Sequence, residues 1–304
     1  MAYTQTVKNT TVPILGFSQT YDHLGRVNTA TGPAGSRTYN YDDRARLTRV
    51  QDTGTEGCTT RSYSFTGDSN RTSLTSYAPD GDGACQTTTT ASSTSYSYDQ
   101  ADRITTTGYV YDRMGRTTTL PKIHTNQAGL STAGDLSVGY AANDMVASLQ
   151  QTTVDPITGT AQVSKQIFTL DGSDRISTIK GYTDTVQLTE TLNHYDGDSD
   201  NPAWTQTKTR PDTSTTWTTT WNRYLNDLTG ALAIDQTDTG TATLQLANLH
   251  GDIVATATLG QTGINTYNET DEYGNPAAGT TPTRYNWLGT HQRDTNTTGG
   301  LTLM

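Results

Sequence analysis

Carboxylates are the first candidates for chemistry in this chain, because clustered Asp side chains serve as acids, bases or metal ligands. Asp196, Asp198 and Asp200 alternate along one short stretch, and alternate carboxylates can converge on a hard cation such as Ca²⁺. A loop of the EF-hand type would need Gly at its sixth position and Glu at its twelfth, where this chain has Asn201 and Thr207. We interpret the stretch as a solvated acidic turn and keep it as a weak calcium candidate.

The histidines and cysteines give no stronger site. None of the five histidines lies in an HExxH motif or beside a GxSxG-type nucleophile. His250, in ANLHGDIV, falls where a strand meets a turn and is expected to be structural. The two cysteines lie outside any CxxC pattern, so we expect no zinc and no other cofactor. DGDG at 80–83 is a weaker version of the acidic pattern.

Four other Asp residues belong to a repeated frame, which explains them without catalysis. The frame is Tyr-Asp-x-x-Gly-Arg followed by a strand-like tail, and degenerate copies begin at Phe65, Tyr140 and Leu170. We therefore expect a non-enzymatic protein with no catalytic residue. The frame residues with a predicted structural role are Tyr21, Asp22, Gly25, Arg26, Tyr41, Asp42, Arg46, Tyr98, Asp99, Arg103, Tyr111, Asp112, Gly115 and Arg116.

The frame is typical of a hairpin turn. Its Asp side chain can accept backbone N–H bonds two residues on, and its fifth position needs a positive φ, which Gly adopts without steric cost. Asp and Asn tolerate that conformation next best, so Asp102, Asn70 and Asp174 are expected to replace Gly, whereas Ala45 predicts a different turn. The Arg then opens the return strand, where its guanidinium can reach a carboxylate or a carbonyl.

These hairpins predict an all-β fold. A lone hairpin is marginal in water, so neighbouring copies must pair sideways into a continuous sheet. Composition agrees, because 66 Thr residues and a hydrophobic fraction of 31% suit pleated, half-wet surfaces better than a thick core. We predict a curved, mostly antiparallel sheet of hairpins, part of a spiral, with minimal helix.

The YDxxGR series resembles the YD repeats of bacterial RHS proteins, Tc-toxin C components, polymorphic toxins and animal teneurins. NRYLNDLTGALAI, LANLHGDIVATATLG, TDEYGNPAAG and YNWLGTHQRDTNTTGGLTLM are similar to the segments just before the RHS-associated core of actinobacterial members. The resemblance covers about residues 17–304. It implies a structural segment of a shell that encapsulates and helps deliver a C-terminal toxin.

The family's closing segment, similar to GxRxYxPxxGRFLSxDP, is absent from this sequence. The resemblance therefore implies that the partners are the remainder of the shell and its toxin cargo. We expect an open, concave sheet whose edge pairs with another copy, another chain or more of its own polypeptide. The alternative is an extracellular adhesion module for cell-surface carbohydrate or protein, which would show a compact aromatic and polar pocket.

The chain divides by sequence type into three parts. Residues 1–14 form an N-terminal extension, residues 15–200 form the YD-repeat hairpin array, and residues 201–304 form a segment preceding the RHS core. In the last part the four tryptophans are expected to act as anchors: Trp204, Trp217, Trp221 and Trp287.

Charge and cysteine usage limit the partners and the compartment. The net charge is −10 and the 20 basic residues are scattered, so we expect no nucleic acid, which needs clustered Lys and Arg. No apolar run approaches the length of a membrane span. Cys58 and Cys85 flank a strand–turn–strand stretch, and an antiparallel hairpin brings its outer ends together. We therefore predict a disulfide between them, with two separate thiols as the alternative. A disulfide would favour a secreted or cell-surface protein, exported by a signal not present in this sequence.

Overall fold

The computed structural model describes residues 2–6, 13–125, 134–154, 158–276, 283–295 and 297–303. The chain forms two compact units, Met1–Thr107 and Gly108–Met304. Within the described residues, no helix is long and apolar enough to cross a membrane.

Unit 1 contains one antiparallel sheet of eight strands, in which each strand pairs with its neighbours in sequence. Three of the connections between these strands are turns of the repeated frame, two are two-residue loops, and the last runs over residues 78–89. The strands are β1 (Ala2–Thr6), β2 (Pro13–Tyr21), β3 (Val27–Gly32), β4 (Gly35–Tyr41), β5 (Leu47–Gly54), β6 (Gly57–Phe65), β7 (Arg71–Tyr77) and β8 (Thr90–Ser95).

Unit 2 contains an antiparallel sheet of 13 strands, again in sequential order. The sheet continues across residue 200, because the strands on either side of it pair directly. The division of the sequence at residue 200 remains a prediction. The strands are β9 (Val110–Tyr111), β10 (Thr117–Leu120), β11 (Leu136–Tyr140), β12 (Val146–Val154), β13 (Ala161–Leu170), β14 (Ile176–Thr183), β15 (Val186–His194), β16 (Trp204–Thr209), β17 (Thr218–Asn226), β18 (Leu232–Thr237), β19 (Ala242–Ala247), β20 (Ile253–Thr258) and β21 (Thr266–Tyr267).

The predicted all-β, antiparallel fold class is confirmed. Every strand pair in both sheets is antiparallel, and neither sheet closes on itself. In the described part of the chain the only helical elements are two single 3-10 turns, Lys122–His124 and Gly289–His291. The β-branched Thr residues explain this outcome, because they lose little on a pleated surface and are poor helix formers.

One face of the unit 2 sheet carries its core. Leu136, Leu149 and Phe168 are buried together, and Leu301 and Leu303 pack against them. A second buried cluster consists of Tyr224, Leu232, Ile253 and Tyr285. Burying one such side chain contributes roughly 1.5–3 kcal/mol, so the segment that follows residue 283 stabilises this face.

Unit 1 has a thinner core, and a disulfide supplements it. Val50 and Tyr63 are buried, as is Cys58 at the start of β6. Cys58 is bonded to Cys85 with a Cα–Cα distance of 4.8 Å, which is within the range of an ordinary bridge. The bridge therefore fixes the connection between β7 and β8 onto the end of the sheet.

The four tryptophans do not behave alike, and the prediction that all are anchors is wrong for two of them. Trp217 and Trp221 are 38% and 41% exposed. Trp217 directly precedes β17, Trp221 lies within it, and the Thr residues around them are exposed as well. Trp204 stacks on His194, with ring centroids 3.4 Å apart. Trp287 covers Gly274, where an added Cβ would come within 2.8 Å of the indole.

Candidate functional site

The repeated turn is the feature that recurs through both units. In the copy at Asp22, the Asp22 N–H donates to the Arg26 carbonyl and the Gly25 N–H donates to the Asp22 carbonyl, at 2.9 and 3.0 Å. Gly25 has φ +77°, and the β2–β3 register shifts beside it. This is a type I turn followed by a left-handed residue that closes a β-bulge, a common way to link two strands.

The Asp side chain completes the turn. One Asp22 oxygen accepts the N–H groups of Leu24 and Arg26, both at 2.9 Å, and the other accepts Arg26 Nε at 2.7 Å. The carboxylate thus satisfies two backbone donors and one cation together. The same three bonds form in the copies at Asp42–Arg46, Asp99–Arg103, Asp112–Arg116 and Asp171–Arg175.

These bonds hold the carboxylates in their ionised form. The backbone N–H of Arg46 and then its side chain lower the pKa of Asp42, and Arg175 does the same for Asp171. For Asp22 and Asp112, desolvation raises the pKa, but the bonds from the turn outweigh it and the pKa is lowered. The side chain of Arg103 is the main cause of the lowered pKa of Asp99.

Four of the frame Arg residues also contact the next hairpin. The Nη1 of Arg46 donates to the Thr66 carbonyl at 2.6 Å, and Thr66 occupies the Asp position of the following copy. The Arg therefore joins its own turn to its neighbour's turn. Equivalent bonds run from Arg26 to the Asp42 carbonyl (3.3 Å), from Arg116 to the Ala141 carbonyl (3.3 Å) and from Arg175 to the Gly197 carbonyl (2.7 Å).

The frame aromatic residue receives this Arg from the preceding copy. The Arg26 guanidinium lies 4.6 Å from the Tyr41 ring, and the Tyr41 hydroxyl donates back to the Val27 carbonyl at 2.9 Å. Stacking and the hydroxyl bond therefore tie the two copies together. The same pairs are Arg46 over Phe65, Arg116 over Tyr140 and Arg175 over Tyr195, with hydroxyl bonds from Tyr98 to Arg71, Tyr140 to Thr117 and Tyr195 to Ile176 carbonyls.

The other predicted frame residues lie at the same turns, with one difference. Tyr21, Tyr41 and Tyr111 end strands, whereas Tyr98 forms only an isolated bridge with Ile104. Gly115 has φ +82°, as its frame position requires.

Two assignments within the frame were wrong. Ala45 does not mark a different turn, because it adopts φ +62° within the ordinary turn. The bonds from Arg44 and Arg46 to Asp42 compensate for its strain. In the copy at Phe65, the left-handed residue is Ser69 with φ +72°, and Asn70 occupies the Arg position.

The turn is more frequent than the frame suggested. Its two backbone bonds occur twelve times in the described residues, each time with a positive φ at the fourth turn residue. The spacing Asp/Asn-x-x-Gly would have revealed most of the missed copies. The copies that sequence reasoning missed begin at Asp80, Asp227, Thr237, Asn248 and Asp271.

Where Asp replaces Gly in the left-handed position, its carboxylate links two copies. Asp102 accepts the Asn70 amide at 2.6 Å, and Asp174 accepts the Asn143 amide at 2.8 Å. Asp144 accepts Arg116 at 2.7 Å. The strain of a non-Gly residue there is offset by a bond between neighbouring hairpins.

The carboxylates of the acidic loop at residues 196–200 do not converge in the structure. No three metal-ligating side chains come together anywhere in the described residues. Arg175 instead donates to the Gly197 and Ser199 carbonyls at 2.7 and 3.3 Å, and Asp200 pairs with Arg293 at 2.8 Å. Guanidinium groups thus provide the positive charge that a calcium ion would provide. Among the residues that the structure describes, no guanidinium pairs with Asp196 or Asp198. DGDG at 80–83 is one of the repeated turns.

His250 lies in the turn that begins at Asn248, where an acidic residue replaces the frame Arg. Its Nδ1 is 2.9 Å from Asp252, whose carboxylate is largely buried and also accepts the Leu288 N–H at 3.0 Å. The hydrogen bond that the His250 ring donates to the Asp252 carboxylate raises the pKa of His250. Burial raises the pKa of Asp252, but the bond and charge of His250 together with the bonds from the Leu288 N–H and the Asn248 amide outweigh it, and the net shift is downward.

Comparisons with known proteins add a distant structural likeness. No family model and no curated protein matches the chain. Over 99% of its length it is similar to a chain of the Photorhabdus luminescens Tc holotoxin pore, with TM-score 0.36 and 11% identity. It is also similar to chains of the TcdB2-TccC3-TEV and TcdB2-TccC3-Cdc42 crystal structures, over 95% and 94% of its length, with TM-scores 0.29 and 0.27 and 11% identity.

The chain spans 19% of the length of each of these structures. With identities and TM-scores this low, the likeness by itself establishes neither the fold nor the function. The fold is shown by the strand pairing within this chain.

Proposed function

We propose that this chain is a structural segment in the wall of an RHS/YD-repeat shell, which encapsulates and helps deliver a C-terminal toxin. The observation that carries the proposal is the coupling between copies. Arg26, Arg46, Arg116 and Arg175 each bond their own Asp and a backbone carbonyl of the next hairpin, and each stacks on that hairpin's aromatic ring. Because these contacts join each hairpin to the next, further hairpins can be added at the edge of such a sheet.

The sequential strand order supports the same role. Both sheets remain open, and an open edge offers N–H and C=O groups to further strands. In this proposal the partners are the remaining hairpins of the shell and the toxin cargo, and the chain itself is non-enzymatic and needs no cofactor. The Cys58–Cys85 disulfide favours a secreted or cell-surface destination.

Protease protection tests the role. The chain is expressed together with the coding sequence on both sides of it, and the product is treated with protease before and after mild denaturation. We expect a segment downstream of residue 304 to resist the protease until the sheets unfold. Equal cleavage of that segment in both states would contradict encapsulation.

A second candidate, an extracellular module that binds carbohydrate or protein, is favoured by one observation. Trp217 and Trp221 are exposed in unit 2, and exposed aromatic rings are common at binding surfaces.

A further inference from the structure

The central strands of unit 2 have a second face that the core does not use. Side chains alternate between the two faces of a strand. Phe168 on β13 points to the face that Leu301 and Leu303 cover, so Lys165 on the same strand points to the other. This second face is here named the basic–aromatic face. Strand pairing places on it Lys165, Lys180, Trp204, Lys208, Trp221 and Arg223, together with Tyr182, Glu190, His194 and Gln206.

The aromatic part of this face is continuous. Trp204 pairs with Arg223 across β16 and β17, and Gln206 pairs with Trp221 in the next row. The rings of Trp204 and Trp221 lie 5.0 Å apart, and His194 stacks on the other side of Trp204. Three neighbouring strands thus present a row of rings with an amide beside it.

The charged part is unbalanced. Within the described residues, Lys165, Lys180, Lys208 and Arg223 make no ion pair with any carboxylate, whereas the frame Arg residues of the turns do. Glu190, between Lys180 and Lys208, is the sole acidic residue at a position of this face on β13–β17 among the residues described. Four cations against one carboxylate make this face basic in a chain of net charge −10.

The C-terminal segment covers the opposite face, while on the basic–aromatic face Trp221 and Arg223 are exposed and the other named side chains are half-buried. The Thr298 N–H donates to Gln166 at 2.7 Å and the Thr298 hydroxyl lies 3.1 Å from Ser164. Both partners alternate with Lys165 on β13, so the segment at residues 297–303 lies on the core face. Lys165 pairs with Tyr182, and Arg223 pairs with Trp204. Because cross-strand partners have Cβ atoms about 5 Å apart, each of these two cations lies beside an aromatic ring, whereas Lys180 and Lys208 both pair with Glu190.

We propose that the basic–aromatic face binds a polyuronate, an acidic polysaccharide with one carboxylate on each sugar ring. The apolar face of a pyranose ring packs on Trp221 or Trp204, and its carboxylate pairs with Arg223 or a nearby Lys. Charge complementarity favours an acidic ligand. Because aromatic rings lie beside cations, the face favours a ligand whose carboxylate is attached to a sugar ring with an apolar face. This inference rests on the second candidate function and is independent of the shell role.

Binding of the purified full chain to polygalacturonate oligomers tests it, with tryptophan fluorescence and calorimetry as readouts. Neutral dextran and polyglutamate of matched length are the comparison ligands. We expect quenching and binding with polygalacturonate, weakening as salt screens the charges, and no binding to dextran. Equal binding to dextran, or binding to polyglutamate as tight as to polygalacturonate, would overturn the proposal.

Variants separate the two parts of the face. Trp221→Ala is expected to weaken polygalacturonate binding by roughly tenfold and to leave any weak polyglutamate binding unchanged. The triple variant Lys165→Glu, Lys180→Glu, Lys208→Glu is expected to abolish binding of both. Lys122→Glu changes a cation outside the face and should bind like the parent.

Thermal unfolding checks that each variant is folded, and a misfolded triple variant is replaced by the three single substitutions. Unchanged polygalacturonate binding in Trp221→Ala and in the charge variants would refute the site. The shell role is read by protease protection, so either proposal can fail without the other.

Discussion

At the residue scale, one carboxylate supports each full turn. The Asp42 side chain accepts two backbone N–H groups and the Arg46 guanidinium. Without the carboxylate, these donors would have to be hydrogen-bonded by water at the end of the hairpin. The residue types of the frame therefore follow from hydrogen bonding and φ rather than from catalysis.

Ala45→Gly should stabilise the protein. Ala45 has φ +62°, which costs an L-residue roughly 1 kcal/mol that Gly does not lose. We expect the free energy of unfolding in urea to rise by up to about 1 kcal/mol, reduced by the greater entropy of Gly in the unfolded chain. Ala142→Gly, which replaces an exposed turn residue without positive φ, is the matched control and should be slightly destabilising. A loss of stability in Ala45→Gly would contradict the strain.

Acid should destabilise the turns. The pKa values of the frame Asp residues are lowered on folding. Their stabilisation is therefore present above the unfolded value of about 4 and is lost as pH falls through the lower folded values. We expect these groups to contribute steadily from about pH 7 to 5, and urea midpoints to drop below about pH 4. Asp42→Asn should reduce this drop, and Asp43→Asn, at a variable position of the same turn, should not.

At the element scale, hairpins are joined by turn contacts as well as by strand pairing. Arg116 bonds Asp112, the Ala141 carbonyl and Asp144, and it stacks on Tyr140. One side chain therefore couples the β9–β10 turn to the β11–β12 turn.

Arg116→Ala should loosen that junction more than a neighbouring substitution. We expect faster amide hydrogen exchange in β10 and β11 and a lower Tm, because the Tyr140 and Asp144 contacts are lost together. Arg113→Ala removes an exposed cation from the same turn and serves as control. Equal effects of the two substitutions would show that the coupling contributes nothing.

The disulfide should stabilise unit 1. It closes a loop with a sequence separation of 27 residues, for which chain entropy predicts about 3–4 kcal/mol. Cys58→Ala with Cys85→Ala should lower the free energy of unfolding of unit 1 by about that amount. The oxidised and reduced parent proteins give the comparison. An unchanged urea midpoint after reduction would rule out the stabilisation.

At the scale of the whole molecule, the sequence predicted the all-β class and the position of the frame turns, because both depend on local chemistry. It did not identify the turn at Asn248 as a copy of the frame. There, Asn248 replaces the frame Asp and Asp252 replaces the frame Arg. It also mistook Trp221 for an anchor, since which face a strand residue occupies depends on register. The basic–aromatic face could not be predicted for the same reason.

The most direct test of the shell-wall role is cryo-electron microscopy of the complete natural polypeptide that contains this chain. The account predicts that both sheets lie within one continuous wall of hairpins, with further strands paired at their edges and density for a cargo enclosed by the wall. A map in which these sheets form a separate domain with solvent on both edges, and enclose nothing, would contradict it.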